Sequence, residues 1–277
     1  MENIANNPPI WEAPNKPVNT GDYHCMCVQC DSAAGAYELV CEGTLRRSEH
    51  ARNTGTIILK SAEMTTLCVG PSKTKYICHK ALLAFNSEYF HGAFFSGFRG
   101  SKNPEHVLPD DDPAELEVFI TWMYTGHIAN STVMCAKLWV LGNRLISPLF
   151  CNEVMHTLFT KHYQIRLTAE EVDYVVENTA EESKLRKYVK TLILTDGPLR
   201  GCKEENPRTA EFRDWLRLIE AGGPFIANIA AFHSFSKEGD FPDRPYFNGE
   251  HEHYLEPATA RPMNDILAGR RRNTSLR

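Results

Sequence analysis

The sequence predicts an α+β protein in which a small β element opens the folded part and helices make up most of the rest. Three observations carry this. Thr65–Val69 and Lys75–Cys78 flank Gly70-Pro71-Ser72-Lys73, two short apolar runs around turn residues, which is a hairpin signature. One further strand, His106-Val107-Leu108, is closed by Pro109. From Pro113 onward apolar residues recur at helical spacing, the mark of helices with one buried face.

Taken in order, Met1–Asp22 is polar and carries Pro8, Pro9, Pro14 and Pro17, too little apolar material to offset the entropy of ordering. Residues 1–55 are therefore expected to be a flexible, cysteine-bearing segment, and Thr56–Leu59 an isolated strand. After the hairpin, His79–Phe85 and Ser87–Phe95 are predicted as two short helices, with Ser87 as the N-cap of the second. Gly97, Gly100, Asn103 and Pro104 mark a loop before the His106–Leu108 strand.

Asp112-Pro113 supplies a capping carboxylate and a proline at the first helical position. Leu116, Phe119, Ile120, Met123 and Tyr124 then share one face, and Gly126 is placed to end the helix in the left-handed conformation. Helices follow over Thr132–Leu145, with Leu138, Leu141 and Leu145 inward, and from Ser147-Pro148 through Val154, Leu158 and Phe159. Ile77, Leu82, Phe90 and Phe119 are expected to meet in a shared interior.

Beyond Tyr163 the helical pattern continues. Thr168-Ala169-Glu170-Glu171 has the form of a capping box leading into a helix to Val176. Glu181–Leu194 follows with a Glu182–Arg186 pair at i,i+4, then Glu211–Glu220 and Phe225–Phe235 divided by Gly222-Gly223-Pro224. Four regions result: the 1–55 segment, a compact unit over 56–163, a helical C-terminal extension over 164–236, and an irregular His- and Pro-containing segment with a basic tail over 237–277.

Composition limits the function. Hydrophobic residues at 42% suffice for a core, and a net charge of −5 gives no global attraction to nucleic acid or anionic membrane. No secretory signal and no run approaching a membrane span is predicted, so the expected location is cytoplasmic, nuclear or both. Nine cysteines, an odd number, argue against a disulfide framework in that setting.

No catalytic constellation is visible: phosphate-cradling glycine loops and nucleophile elbows are absent from the sequence. Ser72-x-x-Lys75 sits at a hairpin tip, where it has no buried helix to open. The metal-ligand candidates are Cys25, Cys27 and Cys30 near His24 and Cys41, and His251 with His253. Zinc takes four N or S ligands, commonly from paired C-x2-C knuckles. Only one such knuckle, Cys27–Cys30, is present, and the two histidines on a strand would offer two ligands. No metal or cofactor is therefore predicted. Arg270-Arg271-Arg272-Asn273-Thr274-Ser275 is a basic tail with two phosphorylatable hydroxyls.

The series Cys78-His79-Lys80-Ala81-Leu82-Leu83-Ala84, Ser87-Glu88-Tyr89-Phe90, Val107-Leu108-Pro109-Asp110 and Phe119-Ile120-Thr121-Trp122-Met123-Tyr124-Thr125-Gly126 resembles the BTB/POZ family. The resemblance rests on His79, Lys80, Leu82, Ser87, Phe90, Leu108, Pro109, Tyr124 and Gly126 in order. Leu138–Leu145, Glu177–Arg186 and Glu250–His253 further resemble a fungal type of BTB protein. The resemblance implies a small sheet covered by helical hairpins, and a non-enzymatic scaffold that pairs with itself or recruits protein partners.

Many members act as substrate adaptors of cullin-type ubiquitin ligases and carry a hydrophobic residue, any residue, then glutamate. Here that partner-contact loop reads Phe98-Arg99-Gly100. Gly100 withholds the acid, which argues against a cullin partner. A zinc-binding regulatory protein using Cys25, Cys27 and Cys30 is the other alternative.

Overall fold

The computed structural model describes residues 34–95, 105–128, 132–164, 166–196, 210–235, 250–258 and 262–268. A long first helix, α1 (Ala34–Lys60), leads into β1 (Met64–Val69) and β2 (Thr74–His79). The short helices α2 (Lys80–Asn86) and α3 (Glu88–Phe95) cross over to β3 (Glu105–Leu108). Then follow α4 (Pro113–Thr125), α5 (Cys135–Arg144), α6 (Pro148–Gln164), α7 (Ala169–Asn178), α8 (Lys184–Asp196), α9 (Ala210–Ala221) and α10 (Pro224–Phe235). A 3-10 turn (Glu250–Tyr254) and a short α11 (Met263–Leu267) complete the described chain. This is the α+β architecture expected, a small sheet with mostly helical surroundings.

The sheet order is β2-β1-β3, with β1 antiparallel to β2 and parallel to β3. Leu67 stands opposite Tyr76 on one side and His106 on the other. Side chains alternate across a strand, so Thr65, Leu67, Val69, Tyr76, Cys78, His106 and Leu108 share the face toward the helices. Thr66, Cys68, Lys75, Ile77, Glu105 and Val107 share the opposite face. Ile77 is consequently 69% exposed and does not join Leu82, Phe90 and Phe119, each fully buried. Tyr76-Ile77-Cys78 is a run of three apolar residues, and pairing with β1 decides which two turn inward.

Local chemistry sets the helix boundaries. The Asp112 carboxylate accepts from the Ala114 N–H at 2.8 Å, with Pro113 at the first helical position. Gly126 ends α4 at φ 70°, its N–H donating to the Trp122 carbonyl. A Cβ there would also lie 2.9 Å from the His50 ring, so any side chain would displace α1. The Ser87 hydroxyl accepts from the Phe90 N–H and donates to the Leu145 carbonyl, tying α3 to the end of α5. The capping box at α7 is complete: the Glu171 N–H donates to Thr168 Oγ1, and Glu171 Oε2 accepts from the Thr168 N–H.

The core is aromatic at its centre. Phe119 meets Phe150 edge-on at 5.1 Å, Trp122 meets Phe150 at 5.0 Å, and Phe90 stacks with Phe94 at 5.8 Å. α5 and α6 approach closely at Gly142, where a Cβ would stand 2.8 Å from Cys151 Sγ and 2.9 Å from the Phe150 ring.

Four expectations are corrected. Thr56–Leu59 is the last turn of α1 rather than a strand, and residues 34–55 are helical rather than a flexible segment. Over the part of α1 whose side chains are described, residues 44–60, the inward side presents Arg46, His50, Thr54 and Ile57, three polar groups to one apolar, so hydrophobic periodicity does not reveal it there. Glu182 pairs with Lys187 at 2.9 Å, while Arg186 turns back to the Val176 and Thr179 carbonyls and the Thr179 hydroxyl at the end of α7. Three acceptors in place of one exposed carboxylate explain that choice. The segment beyond residue 237 is not irregular throughout, because the 3-10 turn and α11 pack onto the core and bury His251 and Ile266.

Gly55 lies inside α1 with nothing within 4 Å of the position a Cβ would take. Gly55→Ala is expected to raise the stability of the chain by about 0.5–1 kcal/mol, measured as a higher urea midpoint. An unchanged midpoint would show that α1 contributes nothing to the cooperative fold, and a lower one that the site has less room than its open surroundings indicate.

Candidate interaction surfaces

Most of the motif residues become joints of the scaffold. The Tyr124 hydroxyl lies 2.9 Å from His79 Nδ1 and accepts from the His79 N–H at 3.1 Å, locking the β2–α2 junction onto α4. Burial is what pushes the Tyr124 phenol above its ordinary range, the His79 N–H opposing it. Lys80 is 8% exposed, yet its ammonium reaches Glu63 Oε1 at 2.6 Å and lies over the Phe94 ring. Leu82 and Phe90 are fully buried, Leu108 is 4% exposed and its carbonyl accepts from the Gly70 N–H, and Pro109 is exposed.

A second cluster joins α6, α7 and α8. Glu171, 5% exposed, receives Lys161 Nζ at 2.5 Å and has His162 Nε2 at 3.7 Å. Burial alone would raise this carboxyl; the His162 ring and the Lys161 ammonium outweigh it and hold it at about 2. Tyr188 donates to the Leu158 carbonyl, which leaves its oxygen to accept from His162 Nδ1 at 3.0 Å.

An open cleft of about 520 Å³ lies beside this cluster, lined among others by Asp112, Met134, Cys135, Lys161, Thr168 and Glu171. Asp112 and Thr168 are engaged as helix caps, and Glu171 is neutralised by Lys161. These groups of the cleft thus serve the fold. Burial raises the thiols of Cys78, to about 11, and of Cys135 and Cys151, leaving them protonated rather than nucleophilic.

The exposed apolar residues lie elsewhere. On α1, Leu45 is 64% and Leu59 88% exposed. Their spacing of 14 residues brings them back to nearly the same side of a helix, about 21 Å apart. On the outer face of the sheet, Ile77 is 69%, Val107 51% and Met64 40% exposed, with the Lys75–Glu105 ion pair at 2.8 Å spanning from β2 to β3. Neither surface is apparent from sequence alone, because exposure is set by strand register and by which side of α1 meets α4.

The remaining candidates separate. Cys25, Cys27 and Cys30, the loop Phe98-Arg99-Gly100 and the tail from Arg270 lie outside the described residues. His251 and His253 fall on the 3-10 turn rather than a strand, with His251 buried at 7% and His253 exposed. A helical turn of this kind does not place residues two apart on one side, so the two rings share no face. Among the described residues no group of three or more His, Cys, Asp or Glu side chains is placed to hold a metal, and no helix is long and apolar enough to cross a membrane.

The comparisons with known proteins converge on the hairpin and the helices around it. Residues 59–157 match the BTB/POZ domain family. Kelch-like protein 40b of Danio rerio is 33% identical over 95 residues, 34% of this chain and 15% of the relative. Kelch repeat and BTB domain-containing protein 2 of Homo sapiens is 44% identical over 62 residues, 22% and 10% of the respective chains. Kelch-like protein 38 of Homo sapiens is 34% identical over 71 residues, 25% and 12%. The aligned part thus spans only a small fraction of each relative. Together with the β2-β1-β3 sheet and the helices packed on it, the match establishes that this chain carries a BTB/POZ domain, a protein-interaction module, over residues 59–157.

Proposed function

We propose that the protein is a non-enzymatic scaffold that pairs with itself or with protein partners through its BTB/POZ domain. The observation that carries this is the BTB/POZ match over residues 59–157, and the surface offered for pairing is one side of α1, the helix leading into that domain, where Leu45 and Leu59 are 64% and 88% exposed. Two large aliphatic side chains on one helix side, with Met64 four residues beyond its C-terminal end, offer apolar surface suited to burial against another chain. The chain is divided accordingly: a domain over 56–163, a helical extension over 164–236 and a C-terminal segment over 237–277. Its expected setting is cytoplasmic or nuclear, and the stretches Leu138–Leu145, Glu177–Arg186 and Glu250–His253 support placing it with the fungal type of BTB protein.

Light scattering coupled to size exclusion tests self-association. The wild-type chain is expected at twice its 31.4 kDa mass, and Leu45→Glu/Leu59→Glu at the monomer mass with its fold intact. A wild-type protein that stays monomeric at high micromolar concentration removes the self-pairing reading.

A cullin-adaptor role is the second reading, favoured by the Kelch-like relatives and opposed by Gly100. Wild-type chain is expected not to bind a cullin N-terminal domain in a pull-down, and Gly100→Glu to gain binding. The zinc alternative through Cys25, Cys27 and Cys30 is settled by elemental analysis of the purified protein.

A further inference from the structure

The C-terminal segment is held as a folded domain holds a peptide. Asn152 on α6 engages both main-chain groups of one residue: its Nδ2 donates to the Glu256 carbonyl at 2.9 Å, and its Oδ1 accepts from the Glu256 N–H at 2.7 Å. Lys184 on α8 donates to the His253 carbonyl at 2.7 Å. These contacts read backbone, not side-chain identity.

Side-chain anchors supply selectivity. His251 is buried at 7%, its ring 6.2 Å from Phe159 and 6.4 Å from His156. Tyr254 stands edge-on to Tyr188 at 5.6 Å and bonds through its hydroxyl to Thr191 at 2.9 Å. Ile266, twelve residues further on, is 1% exposed, and its helix α11 packs against α2 and α1. Between the anchors, Glu252, His253, Pro257 and Ala258 remain exposed. Backbone clamps with pockets for spaced side chains are the usual means of binding extended segments.

We propose that the surface of α6 and α8, together with the faces of α1 and α2 that hold α11, is a peptide-docking groove, and that residues 250–258 and 262–267 are its ligand in cis. The partner that fits it is a protein segment presenting an imidazole and an aromatic ring three residues apart, with an aliphatic anchor about a dozen residues downstream. Such a partner gains the groove only by displacing the strap, whose tethering gives it a high local concentration. This surface is separate from the outward side of α1, so the proposal stands or falls independently of self-pairing.

The test uses the full chain and a fluorescent peptide of residues 250–268. Tyr254→Ala/Ile266→Ser loosens the strap and is expected to bind the peptide at least tenfold more tightly than wild-type chain by fluorescence anisotropy. Adding Asn152→Ala is expected to weaken that binding at least tenfold. Hydrogen exchange on the unaltered chain provides a second reading: amides of 250–258 and 263–267 are expected to exchange at least tenfold faster than those of α6 and α8, through opening of the strap alone. A folded double variant that ignores the peptide overturns the proposal. So does a double variant that no longer folds, or protection of the strap equal to that of α6, since either makes the segment core rather than ligand.

Discussion

Glu171→Ala is expected to lower the stability of the chain by about 2–4 kcal/mol, through loss of the charge-assisted hydrogen bonds of a buried carboxylate and of its half of the capping box. Glu171 is 5% exposed and serves two helices directly and a third through His162. It accepts Lys161 from α6 and faces His162 on the same helix, and it closes the capping box on Thr168. His162 in turn bonds Tyr188 of α8. The alanine variant leaves the His162 ring, whose side chain is 2% exposed, without the carboxylate it faces, whereas Lys161 at 31% can turn toward water.

Glu171→Gln keeps an acceptor for the Thr168 N–H and loses only the charge, so about 1–2 kcal/mol is expected from the weakened charge-assisted bonds. Urea unfolding of both variants separates cap from charge. Because the cluster sits where α6 leaves the family-matched region ending at residue 157, hydrogen exchange in the alanine variant should rise first in α7 and α8. An alanine variant within 1 kcal/mol of wild type would show that this cluster does not hold α7 and α8 onto α6.

The parts of the fold legible in the sequence are those whose chemistry is local. Asp112-Pro113 and Gly126 bracket α4, Thr168 with Glu171 opens α7, and Ser87 caps α3, each through partners two to four residues away. Long-range partners hide the rest. The inward side of α1 is polar because its groups bond residues far along the chain: His50 Nε2 to the Met123 carbonyl at 2.9 Å, and Arg46 to Glu153 at 3.5 Å. A strip of Arg, His and Thr reads as solvent-facing until those acceptors are in place.

The same holds for the surfaces. The His79, Lys80, Ser87 and Tyr124 pattern marks the family, but its side chains are consumed in joining β2, α2, α3 and α4. Exposed aliphatic side chains such as Leu45, Leu59 and Ile77 are ones the pattern omits. The clamp on Glu256 comes from Asn152, 104 residues earlier, a separation at which no local rule applies.

Acidification should expose a second weak point, His156. The ring is 8% exposed, packs edge-on against Phe159 at 5.8 Å and faces His251 at 6.4 Å. Burial above all, then the Arg46 guanidinium and His251, depress its pKa from 6.5 to about 3. In the unfolded chain the imidazole takes up a proton near pH 6.5, while in the folded chain it stays neutral down to about 3. The unfolded state therefore binds more protons throughout that interval, and stability falls as pH falls.

At 1.36 kcal/mol per unit, the 3.5-unit gap amounts to about 5 kcal/mol over the whole window. About 3 kcal/mol of this is lost between pH 6.5 and 4.5, before Glu171 begins to contribute. The Glu171 carboxyl is held low, so its stabilisation is intact above the usual glutamate range and disappears only as pH drops from there through about 2. The two groups thus act in separable ranges. His156→Phe retains a ring against Phe159 and removes the titration, so the fall in urea midpoint between pH 6.5 and 4.5 should shrink by most of that 3 kcal/mol. A variant whose midpoint falls as steeply as that of the wild type would place the acid sensitivity elsewhere. It would also show that the His156–His251 contact, and with it the seat of the C-terminal strap, tolerates a charge.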